Sequence, residues 1–399
     1  MNWVKELYGK NSLETIFIIG ILFLFINFYL SSYLLMFLGS FLFIISLMSR
    51  YYLNHIADHL VIENTKEPIR VSVGEQFTLP IKISQLSWMP IVNATIRIKL
   101  DPIIEGDHLK TIDYESNLEC IIPFQLKGKE TIQLSLPFTA KKRGVTRIKE
   151  FQLEINNFFS LGNVHLNYKP FLNREIIIYP SLVAVPQIEQ LVATNSIGNY
   201  PTNTSLFEDV LAPIGTRNYV YSDPFHRIHW KASAKTQTLQ TKLFERTADF
   251  SWTFIINLRE TGQSSYRNGV VENLESIASN LAFIVRYAAK HNIHYEIFLN
   301  LNMESGVPVY HLPIGGGNTQ LGKTYDILAR LNRARITQPI EKLLHFVDKQ
   351  QRNSPIVILC GPFGKHSDRY FTQMRKKGQS IYYLKDDLNS PKLVPIGQN

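Results

Sequence analysis

The stretch GTRNYVYSDPFHRIHWKASAKTQTLQTKLFER, residues 215–246, separates two patterns of hydrophobicity and so decides how the chain is divided. It sets Arg217, Asp223, Arg227, His229, Lys231, Lys235, Lys242 and Glu245 among Tyr219, Tyr221, Phe225 and Trp230. Nowhere else do charges and aromatics interleave so densely. Burying such charges unrelieved costs on the order of several kcal/mol each, so they are paired, solvated or held for a partner.

Upstream, residues 69–73, 77–83, 94–100, 131–136, 148–155 and 175–178 alternate apolar and polar side chains with a period of two. Val73-Gly74-Glu75 and Lys127-Gly128-Lys129 supply turns. Short alternating strands with turn signals between them predict an antiparallel β-sandwich over 60–183. Trp88, Phe124 and Phe138 are expected in its core, where large aromatics usually pack. Residues 186–213 lack a clear period, carry many turn formers and read as a loop. Downstream of the charged stretch, strands at 252–257, 295–301, 355–360 and 380–384 alternate with helices at 270–289, 324–332, 339–350 and 370–377. That alternation predicts a mostly parallel sheet covered on both faces, a Rossmann-like α/β domain over 251–399.

Two nearly uncharged apolar runs, 13–30 and 33–49, precede all of this and are broken by Ser31-Ser32. Each is close to the lower limit for crossing a hydrocarbon core of ~30 Å. A second run succeeds the first at once, so a transmembrane hairpin within 1–59 fits better than a cleaved signal peptide. Lys5, Lys10 and Arg50 flank its outer ends. The excess of positive charge on the cytoplasmic side of membrane proteins then places both ends, and the rest of the chain, in the cytoplasm. A buried soluble hairpin is the alternative. The 399-residue chain carries 42 Lys and Arg against 33 Asp and Glu, a formal net charge of +9 spread along its length. Beside a hairpin this reads first as attraction to an anionic membrane surface. Two cysteines, Cys120 and Cys360, are too few for a disulfide scaffold and are expected to be buried thiols in a reducing compartment.

The run RNYVYSDPFHRIHWKASA, 217–234, resembles the signature of the family called domain of unknown function 58. Lys235 stands where that family usually has Arg, and Ser222 where it usually has Gly. Weaker likenesses lie at Arg143-Gly144, at 157–161 (NFFSL in place of DPFGL) and at Tyr179-Pro180. The resemblance implies a membrane-anchored partner of a MoxR-type AAA+ ATPase, with a von Willebrand factor A-like module at the C-terminus. It implies a role and no reaction. The expected architecture is therefore a hairpin (1–59), a sandwich (60–183), a loop and signature segment (184–250) and a von Willebrand factor A-like domain (251–399).

Three constellations carry candidate chemistry. Metal-binding von Willebrand A modules use D-x-S-x-S after the first strand, because hard cations need carboxylate charge. Here Asn257, Arg259 and Thr261 occupy those places, so a degenerate site without metal is expected. Gly317–Thr324 (GNTQLGKT) matches the phosphate-binding loop literally. Such a loop needs a preceding buried strand, and Pro308, His311 and Pro313 interrupt that segment. The signature offers His229 as general acid/base with Asp223 to orient it, or Ser233 as a nucleophile, but none of the recurring catalytic arrangements accompanies them. Two further readings stay open together. Arg217 and Arg227 pair with Asp223 and Glu245 to lock the segment, or Tyr219, Trp230, Lys231 and Lys235 belong to a docking face anchored by Trp230 or Tyr221. A non-enzymatic scaffold without cofactor is expected, with the bilayer and the ATPase as partners. No nucleic acid is expected, since no recognised binding motif accompanies the basic residues.

Overall fold

The computed structural model describes residues 3–8, 10–106, 110–114, 117–157, 162–170, 172–196, 208–246, 251–260, 270–301, 309–332, 337–350, 354–386 and 391–397. These fall into two compact units, Met1–Tyr179 and Pro180–Asn399.

The first unit begins with a strand that the apolar pattern does not signal. Trp3–Tyr8 pairs antiparallel with Asn163–Tyr168 and forms the edge of a six-stranded sheet. The order continues through Glu150–Asn156, Ile91–Leu100, Asn117–Leu126 and Lys110–Tyr114, antiparallel throughout. A second antiparallel sheet runs Leu60–Ile62, Gln76–Gln85, Thr131–Ala140 and Ile104–Gly106. The period of two is realised as burial: in Gln76–Gln85, Phe77, Leu79, Ile81 and Ile83 turn inward while Gln76, Thr78 and Lys82 face water. These side chains share one core with Ile96, Ile98, Phe124, Phe138 and Phe151. Trp88 does not join it. Its side chain is 72% exposed, because the loop that carries it turns outward beside a helix end.

That helix belongs to the apolar pair. Helix α1 (Lys10–Leu30) and helix α2 (Tyr33–His55) extend beyond the expected 13–30 and 33–49 and meet at Ser31, whose φ of 48° reverses the chain. They cross where Gly20 and Gly39 face one another. A Cβ on Gly20 would lie 3.0 Å from the Phe43 amide nitrogen, and one on Gly39 3.0 Å from that of Leu24. Small residues at the crossing let two helices approach closely where no water drives them together. Both helices are long and apolar enough to cross a membrane. Their outward side chains, among them Ile18, Phe25, Phe28 and Phe37, are exposed, unlike those of a core hairpin in a soluble fold. The two roots are fastened to the sandwich. The Trp3 indole donates to the Leu60 carbonyl at 2.9 Å, and the Lys5 ammonium donates to the Asn54 carbonyl at 2.8 Å and pairs with Asp58.

In the second unit, helix α3 (Gln187–Ser196) stands in part of the segment read as a loop. Val185, Ile188 and Leu191 are the buried residues that hold it to the α/β core. The turn formers at 199–203 lie outside the described residues. The main sheet runs Tyr310–Gly315, His294–Leu299, Ser251–Ile256, Ile356–Cys360, Ser380–Lys385, Lys392–Pro395. The four inner strands are parallel and each edge strand is antiparallel to its neighbour. Trp252, Phe254 and Ile256 turn to one face, under helix α5 (Leu274–Lys290). Ile255 turns to the other, under helices α7 (Ile340–Lys349) and α8 (Asp368–Lys376). Both faces are thus covered, which is why Phe254–Ile256 and Ile356–Cys360 are apolar at every consecutive position.

Candidate functional site

The signature is a hairpin with a folded tip. Glu208–Asn218 pairs antiparallel with Gln240–Arg246 as a separate two-stranded sheet, with register shifts around Pro213. Between the strands the chain makes a 3-10 turn at Phe225–Arg227 and then helix α4 (Trp230–Thr236). Two side chains fasten this tip from within. The Asp223 carboxylate accepts from the Arg217 guanidinium at 2.6 Å, from the Val220 amide at 3.1 Å and from the Thr241 hydroxyl at 3.1 Å. These donors, Arg217 first, hold the Asp223 carboxyl below its ordinary value of 3.8. Ser233 donates its hydroxyl to the His229 carbonyl at 3.1 Å and accepts from the Gln240 amide at 2.8 Å, tying α4 to the second strand. Ile228, only 3% exposed, bridges to Thr241 beneath them.

Pairing is thus realised in part. Arg217 and Asp223 form an ion pair, with Asp223 12% and Arg217 43% exposed, so the charges are half-solvated and not a buried cluster. Arg227 lies over the Phe244 ring at 5.8 Å. The Glu245 side chain lies outside the described residues. Above this base, Tyr221 is 96% exposed, Phe225 71% and Trp230 68%. Lys231 and Lys235 are exposed beside them, and Tyr219 is half-buried with its ring 5.9 Å from that of Phe225.

The catalytic alternative fares differently. His229 is the N-cap of α4, its Nδ1 accepting from the Ala232 amide at 3.1 Å. An accepting Nδ1 leaves the neutral ring's proton on Nε2. The Asp223 carboxylate is spent on its own three donors, and among the described residues no hydrogen bond joins it to His229. Ser233 is engaged as donor and as acceptor in the backbone of the tip.

At the C-terminal end of the first strand of the main sheet, Asn257 is 1% exposed and its amide is used at both ends. The Oδ1 accepts from the Arg259 amide at 3.0 Å and from Asn300 Nδ2 at 2.7 Å, and the Nδ2 donates to the Pro362 carbonyl. Asn300 completes the knot by accepting from the Leu258 amide at 2.8 Å and donating to the Gln338 carbonyl at 2.8 Å. A cation there would meet neutral oxygens already saturated by donors, a poor match to a hard metal ion. Thr261 lies outside the described residues. Asn300 is not singled out by any sequence motif, and its position after an adjacent parallel strand is the signal that could have found it.

The literal phosphate-loop match, disfavoured by the segment before it, falls in a helix that starts earlier than the expected 324. Gly317–Thr324 is not a loop: it is the first part of helix α6 (Gly317–Arg330), and the strand before it is an antiparallel edge. Thr324 is fully buried, its hydroxyl 3.0 Å from the Tyr295 hydroxyl and donating to the Gln320 carbonyl at 2.9 Å. It faces the core and not a nucleotide's magnesium ion. Cys120 and Cys360 are both free and buried, and burial pushes their thiols up to about 11 and about 12.

No family model matches the chain, and no curated protein matches it. Among solved structures, a non-cellulosomal cohesin from Archaeoglobus fulgidus is similar over 31% of this chain and 93% of its own, at 10% identity and a TM-score of 0.20. The native α-2-macroglobulin of E. coli is similar over 31% of this chain and 7% of its own, at 15% identity and a TM-score of 0.20. The sporulation control protein Spo0M from Bacillus subtilis covers 35% of this chain and 56% of its own, at 14% identity and a TM-score of 0.16. At these scores the likenesses carry no argument about fold or function.

Proposed function

We propose that this chain is a membrane-anchored, non-enzymatic adaptor that presents the tip of its 217–234 hairpin to an acidic face of a partner protein. The observation that supports this best is the division of labour within the tip. Asp223 and Ser233 hold the backbone in place, while Tyr221, Phe225 and Trp230 stand in water beside Lys231 and Lys235. Exposed aromatics with neighbouring cations are the side chains that dominate interface energies. A tip ordered before binding loses little entropy on docking. The resemblance of 217–234 to the domain of unknown function 58 signature suggests the partner, a MoxR-type AAA+ ATPase, and a role in assembly or maturation of an envelope-associated complex. It also suggests reading the parallel-centred sheet as a von Willebrand factor A-like module whose metal ligand has become Asn257. The two apolar helices support anchoring in the cell membrane, and the cations at their roots support a cytoplasmic location for residues beyond Arg50.

Binding of the purified full chain to a MoxR-type ATPase of the same organism tests this reading. Trp230→Ala and Tyr221→Ala should each weaken it by roughly tenfold or more, the scale of a hot-spot truncation. Lys231→Glu should slow association, with an effect that fades in salt. Wild-type affinity in all three variants would reject the tip as the docking face.

A further inference from the structure

The misplaced Trp88 marks a second feature, in the first unit. Between Met48, Ser49, Tyr51 and Tyr52 at the end of α2 and the loop Trp88–Pro90 lies an apolar recess of about 330 Å³. That is the low end of ligand-sized cavities. The loop is held firmly, so the exposure of its indole is built in. Gln85, 1% exposed, donates to the Ile56 and Met89 carbonyls at 3.3 Å each. Tyr52 donates to the Pro90 carbonyl at 2.8 Å, and the Lys129 amide donates to the Ser87 carbonyl at 2.8 Å. Gly128 packs so tightly under the loop that a Cβ there would lie 2.1 Å from the Trp88 carbonyl oxygen. The result is a rigid indole, 72% exposed, flanked by Leu86, Tyr51 and Met48, each more than half exposed. Lys127 and Lys129, both exposed, sit on the turn that supports it.

In water this arrangement leaves apolar surface uncovered. At the end of a membrane-crossing helix it has a natural cover, since Trp and Tyr settle at the headgroup level of a bilayer. We propose that the recess seats one anionic glycerophospholipid of the surrounding bilayer. One acyl chain lies against Met48, Tyr52 and Met89, the glycerol region is level with Trp88 and Tyr51, and the charged headgroup turns toward the Lys127–Lys129 turn. Two features select this occupant: the recess is continuous with the exposed apolar surface of α2, and the turn beside it is net positive, Lys127 and Lys129 against Glu130, whose carboxylate turns back to accept from the Lys127 amide at 2.8 Å. The inference rests on the membrane reading of α1 and α2.

The test uses the full chain reconstituted in vesicles of phosphatidylcholine and phosphatidylglycerol, with one or the other lipid brominated in its acyl chains to quench nearby indoles. Subtracting the Trp88→Phe variant isolates the Trp88 signal from Trp3, Trp230 and Trp252. Quenching of Trp88 should favour brominated phosphatidylglycerol by roughly fivefold over its bulk share, the scale of one net positive charge at the surface. The surface variant Lys127→Gln/Lys129→Gln should lose that preference and keep quenching by brominated phosphatidylcholine. Equal quenching of the wild type by the two lipids, or none by either, overturns the site. Alkaline extraction of native membranes is the separate control: release of the chain would overturn the membrane reading and this site with it, whereas retention with unselective quenching overturns the site alone.

Discussion

Asn257 shows how one residue decides between a metal site and a neutral knot. The amide can accept from Arg259 and Asn300 and at the same time donate to the Pro362 carbonyl; a carboxylate can only accept. Asn257→Asp would aim an oxygen at a carbonyl oxygen and bury a charge at a position 1% exposed. It should therefore cost at least ~1–3 kcal/mol of stability, the penalty for an unsatisfied buried polar group and a lower bound for a charged one, and should not create a magnesium site. Denaturant melts with and without the ion check both halves. A variant that melts like the wild type and is stabilised by magnesium would mean the fold can hold a metal at this position. That position 257 carries no charge is legible in the sequence. The partner is not, because Asn300 is 43 residues away and meets Asn257 only once the two parallel strands align.

At the scale of elements, legibility tracks the strength of the local period. Gln76–Gln85 and Ile91–Leu100 alternate cleanly and lie close to where the pattern puts them. Trp3–Tyr8 escapes the pattern because its pairing with Asn163–Tyr168 spans the whole first unit and leaves no local mark. Helix α3 is hidden by the turn formers after it; α6 is expected from 324, and its first two turns are hidden by a glycine pattern that matches another architecture. Trp88 is misplaced because no local period marks the outward turn of its loop beside the end of α2. In the signature, the density of charge is legible and its pairing is not, since Asp223 takes its donors from three separate parts of the hairpin. That carboxylate also fixes a pH dependence. Its folded value is depressed by Arg217, the Val220 amide and Thr241, so its contribution is complete above the ordinary value of 3.8 and is lost as pH falls below it through the folded value. The Val220 amide resonance should titrate with a midpoint below 3.8, and Asp223→Asn should abolish the transition. A midpoint at or above the ordinary value would show that the pair does not organise the tip in solution.

Over the whole molecule, the apolar pair enters and leaves one and the same sandwich. Trp3 bonds to the Leu60 carbonyl, and Lys5 reaches Asn54 and Asp58, so the strand before α1 is clamped to the segment after α2. If both helices cross a bilayer, the chain must return to the side from which it started, with only Ser31 and Ser32 at the far end. Lys5, Lys10 and Arg50 at the near end then select the cytoplasm for that side. The native cysteines allow a clean measurement. Cys120 and Cys360 are buried, with thiols raised to about 11 and about 12, and should stay silent toward maleimides in the folded chain. Introduced at the helix turn, Ser32→Cys should be labelled by a membrane-impermeant maleimide added to cells whose inner membrane is intact. Lys142→Cys, exposed on the sandwich, should react only after that membrane is opened. The reverse pattern would place the sandwich outside and remove the ATPase as a partner, because no cytoplasmic enzyme could then reach it. Labelling of both sites in intact cells would show that the helices do not cross, and the exposed apolar faces of α1 and α2 would need another cover.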